Sequence, residues 1–385
     1  MNPLYQQMPV SVFERMSVAA AEHGAVNLGQ GFPDFGWPEP IIAAAAEALV
    51  HGSNQYAPSR GLPELRRAVA EHYGREQGIQ LGPENVLVTS GATEAIAASI
   101  LALVEPGDEV VIFAPAYDAY APLVRRAGGI VREVALRPPE WRIEAEALAA
   151  ALSDRTRAIV LNNPHNPTGR LFGVNELEIV AAAAREHDLL VLSDEVWEHV
   201  LLDGSFTSFA SLPGMAERTL KWGSAGKIFS LTGWKIGWLV APPELASVVA
   251  RAHQFLTFAT ATNLQVAVAF GMEQGSGWLE PMRQSFRRAR DRLTHGLEAA
   301  GFKVLPSAST YFLCVDLAAS GLAPDDEAFA RLAVEQAGVA VIPLSAFYEE
   351  QPARHLVRLC FAKRDETLDA GIAAMDKAMR LARSS

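Results

Sequence analysis

Residues 85–104 read NVLVTSGATEAIAASILALV. A short β-branched run ends in Ser90-Gly91-Ala92-Thr93 and gives way to alanine-rich residues, which predicts a strand turning directly into a helix. The same unit recurs outward from this point. DEVVIFAP (108–115) leads into YDAYAPLVRRAG (117–128), RAIVLNNP (157–164) precedes NELEIVAAAAREH (175–187), and LLVLSDEV (189–196) follows. TLKWGS (219–224) and KIGWLVA (235–241) close the series. Such alternation implies an α/β fold, a mostly parallel central sheet with helices on both faces. Ligands of these sheets bind at the carboxyl ends of the strands. Those ends carry Ser90 to Thr93, Ala116-Tyr117, Asn162 to Gly169, Asp194 and Ser224 to Lys227, so one shared site is expected there.

Past about Met272 the texture changes. The charged helical stretch MRQSFRRARDRLTHGLEAAG (282–301) leads to short strands (TYFLCVDL, VAVIP, HLVRLCF) and a closing helix, which predicts a smaller α+β domain. The expected division is an N-terminal arm with part of the small domain over 1–42, a large domain over 43–280 and a small C-terminal domain over 281–385. A chain of 385 residues is long enough for two domains and a large core. Its formal charge of -11 argues against nucleic acid or an anionic membrane as partner, though a few local cations can still hold a small anion. The longest apolar stretches are too short to span a bilayer and no signal peptide is read at the N-terminus, so a cytoplasmic protein is expected. The two cysteines, Cys314 and Cys360, sit in apolar runs and read as buried core thiols. Neither a disulfide framework nor a metal-ligand spacing is present, and no metal is expected.

Several residues bear chemistry. Lys227, after Ser224-Ala225-Gly226, is either a solvated surface lysine or an amine desolvated enough to condense with an aldehyde cofactor. Asp194 at a strand end is a cap, a surface acid, or the partner of a protonated ring nitrogen. Gly91-Ala92-Thr93 opens a helix, where free N–H groups and the helix dipole favour a phosphate, although an ordinary N-cap reads the same way. Ser224 and Lys235 offer a hydroxyl and a cation to such a phosphate. Asn166 lies in the rigid turn NNPHNPTG (162–169), and Tyr117 follows a strand, where it can stack on a ring or simply be half-buried. Arg358, among apolar residues on a predicted strand, needs an anionic partner, whether a structural acid or a substrate carboxylate.

In order and spacing these residues resemble the fold-type I pyridoxal-phosphate aminotransferases, the class I/II group that includes aspartate aminotransferase. The resemblance covers nearly the whole chain. It is closest to the branch of kynurenine aminotransferases (glutamine transaminase K) and bacterial methionine aminotransferases. VNLGQGFPDF (26–35), NQYAPSRGLPELR (54–66), VTSGATEAI, PAYDAY, NNPHNPTG, SDEV, GSAGKIFSLTGWKIGW and LVRLCFAK carry it, and HQFLTFATATNLQ (253–265) looks like the methionine-preferring members. The resemblance implies an aspartate-aminotransferase-like fold and a transaminase using pyridoxal 5'-phosphate. Lys227 is then the Schiff-base lysine and proton carrier, and Asp194 pairs with the pyridine nitrogen. Gly91, Ala92, Thr93, Ser224 and Lys235 hold the phosphate, Tyr117 stacks on the ring and Asn166 binds its phenolic oxygen. Arg358 takes the substrate carboxylate with Gly31 nearby. Tyr56 reaches the cofactor of a partner subunit, which implies a homodimer with shared active sites.

One position departs from the family. Three residues after the pyridine aspartate the family usually has tyrosine, whose hydroxyl donates to the cofactor; here it is Trp197. An indole N–H in the same cofactor-facing position is not expected to replace that bond fully. Losing a hydrogen bond to a charged acceptor costs about 1.5–3 kcal/mol, equivalent to roughly one to two pKa units on the lysine–cofactor linkage. No second arginine for a distal carboxylate can be placed. Phe13, Phe32, Trp37, Phe255 and Phe258 are the candidates for an apolar side-chain pocket, which points to a large neutral amino donor (methionine, an aromatic amino acid, kynurenine or glutamine) and a 2-oxo acid acceptor. Two rival functions share these motifs: a cysteine-S-conjugate β-lyase on the same site, and a non-catalytic cofactor-binding regulator. The acidic charge and the lack of a basic N-terminal DNA-binding segment in the sequence oppose the second.

Overall fold

The structure, a computed structural model, describes residues 1–323 and 325–384. Its central sheet has seven strands: β1 (Val86–Ser90), β2 (Glu109–Ala114), β3 (Ile130–Ala135), β4 (Thr156–Asn162), β5 (Leu190–Asp194), β6 (Thr219–Ser224) and β7 (Ile236–Val240). Their order is β1-β7-β6-β5-β4-β2-β3. All neighbours are parallel except β7, which runs against both β1 and β6. Because β7 is reversed, its first residues lie at the same edge of the sheet as the last residues of β2, β4, β5 and β6. The opposite edge carries turns such as the exposed Pro106–Gly107, which leads into β2.

The alternation of side chains along each strand buries both faces. On β2, Val110 and Ile112 enter one apolar layer with Ile96, Leu192 and Trp222. Val111 and Phe113 enter the opposite layer with Ile159, Leu161 and Val180. β3 was not expected from the sequence. It is the outermost strand, and its residues alternate between exposed and half-buried up to Val134, so Arg132 and Glu133 interrupt the apolar run that marks the inner strands.

A second, antiparallel sheet joins Ile342–Pro343, Leu356–Cys360, Phe312–Asp316 and Lys303–Val304. The helices Leu279–Ala299 and Asp365–Ser384 pack on it through Phe286, Leu293, Leu368 and Met375, around a core of Leu313, Val315 and Leu359. The N-terminal segment joins this part of the molecule, since Val26–Asn27 pairs in parallel with Val339–Ala340. The helix Val12–Glu22 touches both parts: Val12 belongs to a core layer of the central sheet, whereas Ala20 packs with Val334 and Ala340. No helix among the described residues is long and apolar enough to cross a membrane.

Candidate active site

A cavity of about 350 Å³ opens at the edge where the parallel strands end. Gly31, Gly91, Ala92, Thr93, Tyr117, Asn166, Asp194, Trp197, Ser224, Lys227, Lys235 and Arg358 all line it. These residues come from seven separate stretches of chain, and the fold alone brings them together.

At one end of the cavity is the start of the helix Gly91–Leu103. Ser90 occupies its N-cap position but makes no side-chain capping bond. The first N–H groups of a helix have no partner within it, so they remain available to a ligand. Gly91 has φ +70°, and a Cβ there would sit 3.2 Å from Lys235 Nζ. A Cβ on Gly237 would come within 2.6 Å of the Ala92 nitrogen. Gly91 therefore leaves its corner of the cavity free of a side chain, and Gly237 lets β7 pass directly against the helix start. Glu94 anchors the turn, accepting from the Ser90 N–H at 2.5 Å and from His253 Nδ1 at 2.6 Å. His253 Nε2 faces the Ser59 carbonyl oxygen at 2.7 Å. Both ring nitrogens thus face acceptors and the ring holds both protons. Burial lowers its pKa, but Glu94 together with the Ser59 and Phe258 backbones raises it on balance. Free N–H groups, the Ser224 hydroxyl at the end of β6 and the Lys235 cation together suit an anion.

Lys227 lies three residues past β6, and Trp197 and Tyr311 flank it. Burial, opposed by the nearby Cys360 and assisted by Arg358, lowers its pKa to about 8. A substantial fraction is therefore neutral amine at mildly alkaline pH, the form that acts as nucleophile or base. Asp194, at the end of β5, is 4% exposed. It accepts from the Tyr120 hydroxyl at 2.5 Å and from the Val196 N–H at 3.3 Å. Burial raises its pKa to about 6, and those two donors restrain the rise.

Asp194 gives a pH-dependent prediction for the protein without ligand. Its unfolded pKa is about 3.9, below the folded value. Between these values the unfolded chain has released the proton that the folded chain retains, so stability falls as pH rises through that window and the full cost is present above about 6. Asp194→Asn should therefore stabilise the ligand-free protein by about 2–3 kcal/mol at pH 7.5 and by little at pH 4. Urea unfolding at both pH values checks this. An equal effect at the two would mean that carboxylate burial is not its cause.

Arg358 is 1% exposed. Its Nη1 donates to Asn166 Oδ1 at 3.0 Å and its Nη2 to the Gly29 carbonyl at 2.9 Å, while Nε has no partner. The guanidinium lies 3.9 Å from the centroid of the Phe312 ring, with Phe13 and Phe347 near 5 Å. No ion pair neutralises it among the described residues, so the structural-acid alternative finds no partner. A buried cation with an idle donor is a receptor for an anion. Asn166 is held from below, since its N–H donates to Asn162 Oδ1 at 2.8 Å while Asn162 Nδ2 donates to the Asp194 carbonyl at 2.9 Å.

Tyr56 does not line the cavity of its own chain; it is 86% exposed and meets Phe258 edge-on. Of the five aromatic pocket candidates only Phe13 reaches the cavity, whereas Phe32, Trp37, Phe255 and Phe258 lie on the surface of the chain. Trp197 presents its ring face to Lys227, with the amine 4.7 Å from the ring centroid. Sequence reasoning missed Gln30, Phe312, Tyr120 and Tyr311. The contacts of the two tyrosines join residues 74 and 84 positions apart, and no local spacing signals such pairs. Both cysteines are buried and free.

Fold and cavity together define a class of α/β enzyme in which a desolvated amine, a buried acid and an unpaired arginine meet at the carboxyl edge of a parallel sheet. Residues 23–375 match the profile of the family described as aminotransferase class I and II, and the chain belongs to that family. It is 39% identical over 374 residues to the methionine aminotransferase of Escherichia coli, covering 95% of this chain and 97% of the relative. The solved structure of N-succinyldiaminopimelate aminotransferase from Mycobacterium tuberculosis is 44% identical and superposes with a TM-score of 0.95, covering 98% of this chain and all of the other. A single mutant of Thermus thermophilus aspartate aminotransferase superposes with a TM-score of 0.91 at 35% identity, covering 98% of this chain and 99% of the other, so the fold is aspartate-aminotransferase-like. The chain is an aminotransferase.

Proposed function

We propose that this aminotransferase uses pyridoxal 5'-phosphate to move the amino group of a large neutral L-amino acid to a 2-oxo acid, as a homodimer. The observation that carries the reading is the single cavity holding the desolvated Lys227, the buried Asp194 and the unpaired Arg358 beside an uncapped helix start. The residues fit the cofactor: Gly91 leaves room at a helix start ringed by donors, and the buried Asp194 carboxylate has no ion-pair partner among the described residues. When bound, pyridoxal phosphate supplies an aldehyde that condenses with amines and a ring that accepts the electron pair left by a departing α-proton.

The residues divide the remaining work. The N–H groups of Gly91, Ala92 and Thr93, with Ser224 and Lys235, would hold the phosphate. Asp194 would pair with the ring nitrogen, and that pairing would offset the cost of its burial. Tyr117 would lie against the ring, Asn166 would donate through Nδ2 to the phenolic oxygen, and Trp197 would border the ring beside Lys227. Arg358 would fix the substrate carboxylate, with Gly31 closing over it. Lys227 Nζ would then be the base that takes up the α-proton and carries it for the 1,3-transfer that transamination requires.

Apolar lining supports the donor class. Phe13, Phe312 and Ile96 line the cavity, and its only cations among the described residues are Lys227, Lys235 and Arg358. A donor with a distal carboxylate would leave that charge unpaired. On the chain surface, Tyr56, 86% exposed, meets the exposed Phe258 edge-on, an aromatic pair that suits contact with a second copy, the arrangement in which Tyr56 would complete the partner's site. We also infer an N-terminal arm over 1–42, a large domain over 43–280 and a small domain over 281–385.

The test is a comparison of kcat/KM with 2-oxoglutarate as acceptor. Methionine, phenylalanine, kynurenine or glutamine should exceed aspartate by roughly tenfold or more. N-succinyldiaminopimelate, the substrate in the name of the Mycobacterium relative, is the competing donor. If it outperforms every neutral donor by that margin, the proposed substrate class fails while the reaction class stands.

A further inference from the structure

Tyr311 ends at the atom on which the proposed chemistry turns. Its hydroxyl is 3.0 Å from Lys227 Nζ and 2.7 Å from the Gly31 carbonyl oxygen. A carbonyl only accepts, so the single phenolic proton is committed to Gly31. The phenolic oxygen therefore turns a lone pair toward Lys227, and the amine donates to it. A neutral amine has two N–H bonds and one lone pair. With one N–H spent on Tyr311, and no phenolic proton left to occupy the nitrogen, the amine's lone pair stays free and its rotation is restricted.

The surroundings make this contact specific. Tyr311 is 1% exposed. Trp197 meets its ring at 4.4 Å between centroids and 89° between planes, Phe312 at 5.0 Å and Phe286 at 5.9 Å. The walls next to Lys227 are the Trp197 and Tyr311 rings, whose centroids lie 4.7 and 5.4 Å from Nζ. In that corner the Tyr311 oxygen is the one hydrogen-bond partner of Nζ among the described residues. The other charged or titratable groups acting on Lys227 are Cys360, Arg358, Asp194 and Lys235. Gly31 adds a second link. Two residues before it, Gly29 accepts from Arg358, so a single short segment holds both the tyrosine and the arginine. A Cβ on Gly31 would strike the Phe312 ring at 2.6 Å, so the segment lies directly against the strand that follows Tyr311.

We propose that Tyr311 is a positioning residue for the reaction, fixing Lys227 Nζ with its lone pair free and tying that orientation, through Gly31, to the segment that holds Arg358. The inference rests on the reading of Lys227 as the reacting amine. In a chain with tryptophan at position 197, the phenol that touches the lysine comes from position 311.

The experiment uses Tyr311→Phe, which keeps the ring and its packing on Trp197. Two quantities are read. The first is steady-state kinetics of the holoenzyme with methionine, where kcat should fall about tenfold and KM should change less than about twofold, since the lost bond orients the amine rather than the substrate. The second is the pH midpoint of Lys227 acetylation by trace acetic anhydride in the cofactor-free protein, followed by peptide mass spectrometry. Removing an acceptor disfavours the ammonium, so the midpoint should drop by about one pH unit. An unchanged midpoint overturns the proposal, whatever happens to kcat, and so does an unchanged kcat. If Tyr311→Phe does not fold, 4-fluorophenylalanine at position 311 keeps the shape of the ring and its substituent but offers only a very weak acceptor and no ionisable proton, and the midpoint should fall by a similar step; no shift overturns the proposal equally. Lys227→Ala separates the two layers, because amino transfer at wild-type rate in that variant would remove the underlying reading of Lys227 itself.

Discussion

Lys227→Ala is expected to reduce amino transfer by about 10⁴-fold or more. The expectation follows from the two duties one atom holds. A positioned general acid–base group contributes roughly 10²- to 10⁴-fold, and loss of the condensing amine adds to that. Burial lowers the Lys227 pKa to about 8, so a substantial fraction of the wild-type amine is neutral at mildly alkaline pH, and no other lysine among the described residues lines the cavity except Lys235, beside Gly91. Cofactor retention should survive, because Asp194 and the helix start are untouched. The check is release of 2-oxo acid from methionine alongside the absorbance of retained cofactor. A rate within tenfold of wild type, with cofactor present, would reject the assignment.

The second large effect is at Arg358. Arg358→Met preserves an unbranched side chain against Phe312 and removes the charge. Breaking one side of a buried ion pair costs about 3–5 kcal/mol, so kcat/KM for an amino acid donor should drop by roughly 10²- to 10³-fold. The decarboxylated amine of the same side chain serves as control. It lacks the carboxylate, so its slow turnover should be nearly the same in both proteins. Equal losses for the acid and the amine would mean that Arg358 supports the fold of the site and does not bind a carboxylate.

The inner strands were readable because both of their faces are buried, and runs such as VVIF or LLVL survive as unbroken apolar segments. Strand β3 was not, since an edge strand tolerates Arg132 and Glu133. The reversal of β7 also left no trace, because KIGWLV is as apolar as its parallel neighbours. Cavity residues were found where turn chemistry flagged them: glycine at a helix start, prolines around Asn166, a carboxylate at a strand end. Tyr120 and Tyr311 carried no such mark. Each is buried like a core aromatic, and only its long-range hydroxyl contact distinguishes it. Lys221 is a further case. It reads as an interruption of a strand but is 1% exposed, contacting Glu195 and Glu198 at 2.5 Å each.

The reversed strand β7 has a practical consequence for anyone splicing the gene. It crowds both ends of the turn between β6 and β7 onto the cavity edge, so inserted residues anywhere from position 225 to 235 displace Lys227 or Lys235. The other edge is permissive. Gly107 is exposed with nothing within 4 Å of where its Cβ would be, and it stands a whole strand, roughly 20 Å, from the cavity. Affinity tags or linkers to other domains belong at this turn, far from every reacting group, with Gly107 itself kept because its φ of +94° strains any other residue.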